Sequence, residues 1–162
     1  ADVNVILGDG RLRMAAAPDD AYDLIVLDAF SSDAVPTHLL SREAFELYCS
    51  KLRDDGVLLF NMSNRFLDFV PLVANLAQRE GLVCLVRTDA NVTAAQRAAG
   101  RMPSLWIVMA RRLSDVGELT LADSGWQQAL GRPDRPVWTD QYSNILMLLG
   151  GEPRRMLAHV AN

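Results

Sequence analysis

The sequence predicts an α/β fold with a mostly parallel sheet and one antiparallel strand, and three observations carry that expectation. Apolar runs of strand length alternate with stretches of helical period. The run "YDLIVLDAF" (22–30) is almost continuously apolar, as a strand covered on both faces requires. Two strand-like runs, "LVCLVRTD" (82–89) and "SLWIVMARR" (104–112), then follow one another, which suggests one antiparallel member.

The elements follow in order. Val3 to Leu7 reads as a short buried strand, punctuated by "GDG". Arg11 to Ala17 reads as a helix closed by Pro18. After the strand at 22–30, Phe45, Tyr48 and Leu52 fall at i, i+3 and i+7 in a helix from Ser41 to Arg53. Ser41 suits its N-cap, and Asp54-Asp55-Gly56 suits its stop. "GVLLFNMS" (56–63) is the next buried strand. Asp68 can cap a helix running to Glu80, with Pro71 in the first turn, where a missing N–H does no harm. Gly81 ends it. The last two strands are joined by Ala90 to Pro103, long for a hairpin and part helical. A short helix around Trp126 and an apolar stretch, "SNILMLL" (143–149), complete the tail.

Composition narrows the function. The 162 residues are 50% hydrophobic with a formal net charge of -4, which fits a single domain over 1–162 with a sizeable core. No Lys/Arg stripe exists for nucleic acid, since Arg111-Arg112 and Arg154-Arg155 are isolated pairs. Cys49 and Cys84 lie in apolar periodic stretches and read as buried free thiols suited to a reducing, cytoplasmic compartment. No apolar run approaches the roughly 18 residues of a membrane span. CxxC, GxSxG and glycine-rich phosphate loops are absent, and no metal site is expected. His38 and His159 lack ligand spacing and read as surface or capping residues.

In parallel sheets, ligands bind beyond the carboxyl ends of the strands, where "GDG" and "DAFSSD" both fall. Asp9, Asp28 and Asp33 there would form a negative pocket suited to a cationic substrate. A carboxylate beside an amine binds it as ammonium and can then accept its proton, exposing a nucleophilic lone pair. Ser31 and Ser32 add small hydroxyls without blocking access. Each acid also has a plainer reading: Asp9 as the cap of the next helix, Asp33 as a solvated loop residue.

At "GDGR" (8–11), "YDLIVLDAFSSDAVPTHLLSREAFELY" (22–48) and "LRDDGVLLFNMSN" (52–64) the sequence resembles the spermidine synthase family. "VWTDQYSNILMLL" (137–149) is similar to the TDD-Y segment near the end of its bacterial spermidine synthase-like members, some of which are fused to membrane transporter segments. The resemblance implies an aminopropyltransferase on the Rossmann-like fold of class I methyltransferases. Its cosubstrate would be decarboxylated S-adenosylmethionine, or S-adenosylmethionine if the reaction is methyl transfer, and its acceptor a small amine. It further implies that Asp9 and Gly10 bind the adenine amino group, that Asp28 is the general base, and that Ser31, Ser32 and Asp33 help to hold the amine. Asp33 comes two residues later than in the family's D-S-S-D-P pattern.

The departures carry expectations of their own. The family's glycine-rich loop after its first strand and the acid ending its second do not occur in this chain. The expectation is a C-terminal part of the catalytic domain lacking the first two strands, inactive alone, from a parent with an upstream region that in some relatives is membrane-bound. Val3–Leu7 would then slide in to pair with Leu24–Leu27, or a second copy would close that edge, and the uncovered apolar faces would drive a homodimer. No tyrosine lines "TDANVTAAQRAAGRMPS" (88–104), and Gln141 stands at the second acid of TDD, which leaves the identity of the amine open. A non-catalytic polyamine- or nucleotide-binding domain is the other reading.

Overall fold

The structure, a computed structural model, describes residues 2–30, 35–64 and 66–149. Its centre is a sheet of five strands in the order β1-β2-β4-β3-β5: β1 Tyr22–Leu27, β2 Leu52–Asn61, β3 Val83–Asp89, β4 Ser104–Ala110 and β5 Gln127–Gln128. β1 and β2 are parallel, and β4 runs antiparallel between β2 and β3. Three of the four long strands therefore point one way, as expected, and the two-residue β5 adds a second antiparallel edge on β3.

Among the described residues four α-helices accompany them: α1 Gly10–Ala15 ahead of β1, then α2 Arg42–Lys51, α3 Val70–Arg79 and α4 Ala94–Ala98 between successive strands. Ser41 caps α2 as expected, its hydroxyl accepting from the Ala44 N–H at 3.2 Å. Asp68 accepts from the Val70 N–H at 3.2 Å, one residue ahead of the Phe69 cap of α3. The joining segment at 90–103 does hold a short helix, α4, closed by a Thr93–Gln96 capping box. These are local bonds between a side chain and nearby backbone, which is why the sequence announces them.

One face of the sheet carries the main core. Ile25, Leu58, Phe60, Ile107 and Met109 pack there against Phe45 and Tyr48 of α2 and Leu72, Val73 and Leu76 of α3. The other face is covered more thinly, by Val116, Leu119 and Trp126 over Leu85, Val108 and Ala110. That cover does not reach β1, where Leu24 and Val26 are 51% and 49% exposed.

Several expectations change. Val3–Leu7 forms no strand and stays exposed, Val3 at 86% and Leu7 at 82%. Its apolar pattern suits a strand, but β1 pairs only with β2 among the described residues, so no ladder includes 3–7. β1 is also covered on one face rather than two, because no described element packs over Leu24 and Val26. Asp54-Asp55-Gly56 does not stop α2: the helix ends at Lys51, and β2 already begins at Leu52. The register between β1 and β2 shifts across this stretch, from Tyr22 opposite Leu52 to Leu24 opposite Val57. Gly56 is needed there for close approach, since a Cβ would lie 3.0 Å from the carbonyl oxygens of Tyr22 and Arg53. Trp126 lies just before β5 and not in a helix, while a 3-10 segment occupies Leu113–Thr120 with a break at Gly117. "SNILMLL" becomes a 3-10 turn at Ile145–Leu148.

Both cysteines are free, Cys84 buried and Cys49 partly so. Burial pushes the thiols up, to about 12 for Cys84 and about 11 for Cys49, so neither is an activated nucleophile.

Phe60 joins the layers. Its ring stacks on Phe45 at 5.3 Å and meets Phe30 at 6.1 Å and Tyr48 at 6.4 Å. Phe60→Ala should therefore destabilise the fold by about 3–5 kcal/mol, the range for removing a buried phenylalanine ring, as read by urea unfolding.

Candidate functional site

Parallel pairing puts the carboxyl ends of β1 and β2 side by side. Leu27 lies opposite Phe60, so Asp28 leaves β1 at the level where Asn61 ends β2. Asn61 lies opposite Trp106 on β4, and Asp89, ending β3, lies opposite Ser104. One end of the sheet thus gathers Asp28 and Asn61 on the neighbouring strands β1 and β2, with Asp89 on β3 beyond the intervening β4. Asp89 is held in an ion pair with Arg101. Asp28 is exposed and has no hydrogen bond or ion pair to a described residue.

The loop after β2 is tied down by its own polar side chains. The Asn61 side-chain oxygen Oδ1 accepts from both the N–H and the hydroxyl of Ser63. The Ser63 hydroxyl in turn accepts from the Leu105 N–H at 3.0 Å, joining this loop to β4. Asn64 reaches across to the chain leaving β1, donating to the Phe30 carbonyl at 3.0 Å.

A second cluster forms where α1, the 3-10 turn at Thr37–Leu39 and the start of α2 meet the tail. Arg11 donates two hydrogen bonds of 2.7 Å to the Asp140 carboxylate and one of 2.9 Å to the His38 carbonyl. Asp140 also accepts from the Ser41 hydroxyl at 2.6 Å, and its N–H donates to Glu43 at 3.0 Å. The Arg42 N–H donates to the Trp138 carbonyl, and the Trp138 side chain is fully buried. The Arg11 guanidinium, and next the Ser41 hydroxyl, hold the Asp140 carboxyl down at about 2.

Asp9 sits at the rim of this cluster. Its Oδ1 accepts from the Leu12 N–H at 2.9 Å, so it caps α1, and its Oδ2 lies 3.6 Å from His38 Nε2. The plainer reading of Asp9 as a cap therefore holds, with one carboxylate oxygen turned toward His38. A Cβ on Gly10 would meet nothing within 4 Å, so the space beside the start of α1 is open. Asp9 and Asp28 sit on separate loops with no hydrogen bond between them. Ser31, Ser32 and Asp33 lie outside the described residues.

The sequence reading did not single out Arg11, Asp140 or Asn64. Asp140 was visible in "VWTDQY", but its partner Arg11 is 129 residues away in sequence, and no local pattern joins such a pair. Among the described residues no group of three His, Cys, Asp or Glu could hold a metal ion, and no helix is long and apolar enough to cross a membrane.

A curated relative described as a probable polyamine aminopropyl transferase, from Bifidobacterium longum (strain NCC 2705), is 36% identical over 63 residues. The matched stretch is 39% of this chain and 14% of the relative. A solved structure, described as a probable spermidine synthase from Corynebacterium glutamicum ATCC 13032, superposes with a TM-score of 0.46 at 16% identity. That superposition covers 81% of this chain and 54% of the other, so the chain spans about half the length of that protein. No family model matches.

The Asp140 cluster makes a pH prediction. Its folded pKa, about 2, is below the roughly 3.9 of an unfolded aspartate, so its contribution is fully present above that value and is lost as pH falls towards 2. The carboxylate is 43% exposed, and after allowing for solvent screening the contribution at pH 7 is about 1 kcal/mol or less. The stability gap between the native chain and Asp140→Asn, measured by urea unfolding, should be constant from pH 7 to about 5 and shrink below about 4.

Proposed function

We propose that this chain is the acid-bearing part of an aminopropyltransferase, and that the complete protein transfers an aminopropyl group from decarboxylated S-adenosylmethionine to a small amine. The observation that carries this is Asp28, an exposed carboxylate without a hydrogen-bonding partner among the described residues, leaving a parallel strand at the end of the sheet where such folds bind ligands. The resemblance around "DAFSSD" and the aminopropyl transferase relative support the same reading.

In the reaction, Asp28 first receives the amine as its ammonium ion and takes a proton from it. The freed lone pair forms a nitrogen–carbon bond at the carbon beside the sulfonium. The carbon–sulfur bond breaks with its electron pair going to sulfur, and methylthioadenosine leaves. The sulfonium is already an activated leaving group, so the chain's task is positioning and proton acceptance. Asp9 would offer Oδ2 to the adenine amino group across the open space beside Gly10, while Oδ1 keeps its cap on α1. Ser31, Ser32 and Asp33 complete the proposed amine subsite, and residues 1–162 act as one domain in the cytoplasm.

Incubating the full-length protein with decarboxylated S-adenosylmethionine and putrescine or related amines should yield methylthioadenosine. Formation of S-adenosylhomocysteine from S-adenosylmethionine instead would make it a methyltransferase, and ligand binding without product would make it a binding domain. Asp28→Asn should lower the rate about a hundredfold or more, the usual scale for a general base.

The 162-residue chain is proposed to associate as a homodimer through the bare face of β1, where Leu24 and Val26 sit beside an unpaired strand edge. Sedimentation at micromolar concentration should give the dimer mass. A clean monomer there would refute this assembly.

A further inference from the structure

We propose that Asn64 is a positioning residue for Asp28, acting through the Phe30 carbonyl. Three observations lead to it. First, Phe30 stands two residues beyond Asp28, and its fully buried ring is held at 6.1 Å from both Phe60 and Phe69. The ring fixes where Phe30 is. It does not fix which way the backbone faces, because a side chain can keep its place while its peptide planes rotate.

Second, the Asn64 side-chain amide supplies that missing constraint by donating to the Phe30 carbonyl at 3.0 Å. Third, the orientation of this amide is itself fixed. Its oxygen accepts from the N–H groups of Phe66 and Leu67, both at 3.0 Å. Exchanging oxygen for nitrogen would set an NH2 group against two N–H donors, so the nitrogen must face Phe30. Asn64 thus ties the turn after β2 to the chain leaving β1, and the Ser63 hydroxyl secures that same turn to β4 through the Leu105 N–H.

A carboxylate with no hydrogen bond to any described residue is, among those residues, aimed by its backbone alone. For Asp28 that backbone is held on one side by β1, whose ladder ends at Leu27, and on the other by Phe30. A general base must lie within hydrogen-bond reach of the proton it takes, and small misplacement is costly. The role in catalysis rests on Asp28 being the base. The mechanical coupling does not.

The substitution Asn64→Asp separates the two jobs of the side chain. It keeps an acceptor for Phe66 and Leu67 but replaces the donor with a carboxylate oxygen facing the Phe30 carbonyl. In this chain, hydrogen exchange at 27–30 should accelerate about tenfold, the order set by loss of one hydrogen bond. Exchange at Phe66 and Leu67 should stay within about twofold. Asn64→Ser, which can accept locally but is too short to reach Phe30, should give the same pattern if the aspartate variant fails to fold. Unchanged exchange at 27–30 in a folded variant, or equal acceleration throughout the chain, overturns the proposal.

In the full-length protein the same variants should lower kcat, expressed per mole of folded enzyme as fixed by urea unfolding, about tenfold or more with the KM for the nucleotide unchanged. A fall in the nucleotide's apparent affinity with kcat intact overturns the positioning role. If the unsubstituted protein makes no methylthioadenosine, the functional reading fails, and the exchange measurement still decides whether Asn64 tethers Phe30.

Discussion

Phe60 is the residue on which the rest of the structure depends. It stands near the end of β2, and its ring contacts Phe45 and Tyr48 of α2 and Phe30 beyond β1. Phe30 passes the contact on to Phe69 at the start of α3. One aromatic cluster therefore fixes the two helices on the sheet and the point at which the chain leaves β1. The exposed carboxylate of Asp28 lies two residues from a fully buried ring, so the candidate site is rigid on its inner side without being enclosed. Aromatic rings suit this task because each buries a large area with few rotatable bonds.

The electrostatic frame is separate from the apolar one and lies to one side of it. Arg11, Ser41 and Asp140 tie α1 to the start of α2 and to the tail, and the buried indole of Trp138 anchors the tail beneath them. The hydroxyl of Ser41 serves two elements, accepting from Ala44 to cap α2 and donating to Asp140. Asp140 joins segments far apart in sequence, and its depressed pKa follows from a bidentate guanidinium with a hydroxyl added to it. Through Arg11 and the His38 carbonyl, this clasp also fixes the turn whose imidazole faces Asp9.

What the sequence made legible follows from the range of each interaction. The Ser41 cap, the strand at Tyr22–Leu27 and the antiparallel placement of "SLWIVMARR" rest on local chemistry or on long apolar runs, and they appear in the structure. Val3–Leu7 shows the opposite case. Apolar alternation reports that a segment could be buried, whereas a strand also needs a neighbour, and the described residues provide none. "DDG" was misread because a helix stop and an irregular strand pairing use the same residues. Only the approach of the Tyr22 carbonyl to Gly56 tells them apart. At the site, Asp28 and Asp9 were legible as strand-end acids. Asn64 and Asp140 were not, since their partners are 34 and 129 residues away.

Two of the acids singled out by the sequence end in opposite physical situations, and the contrast bears on their chemistry. Asp9 is engaged: one oxygen caps a helix and the other faces an imidazole, an arrangement suited to holding a fixed partner in a fixed orientation. Asp28 is unengaged among the described residues, with both oxygens open to a ligand. A group that accepts a proton must offer a lone pair that no permanent donor occupies, and Asp28 meets that condition where Asp9 meets it only in part. The cost of leaving a carboxylate without a partner among the described residues is small because it is exposed to water, which solvates the charge. The buried Phe30 ring two residues on holds the chain from behind while the Asp28 carboxylate faces solvent in front.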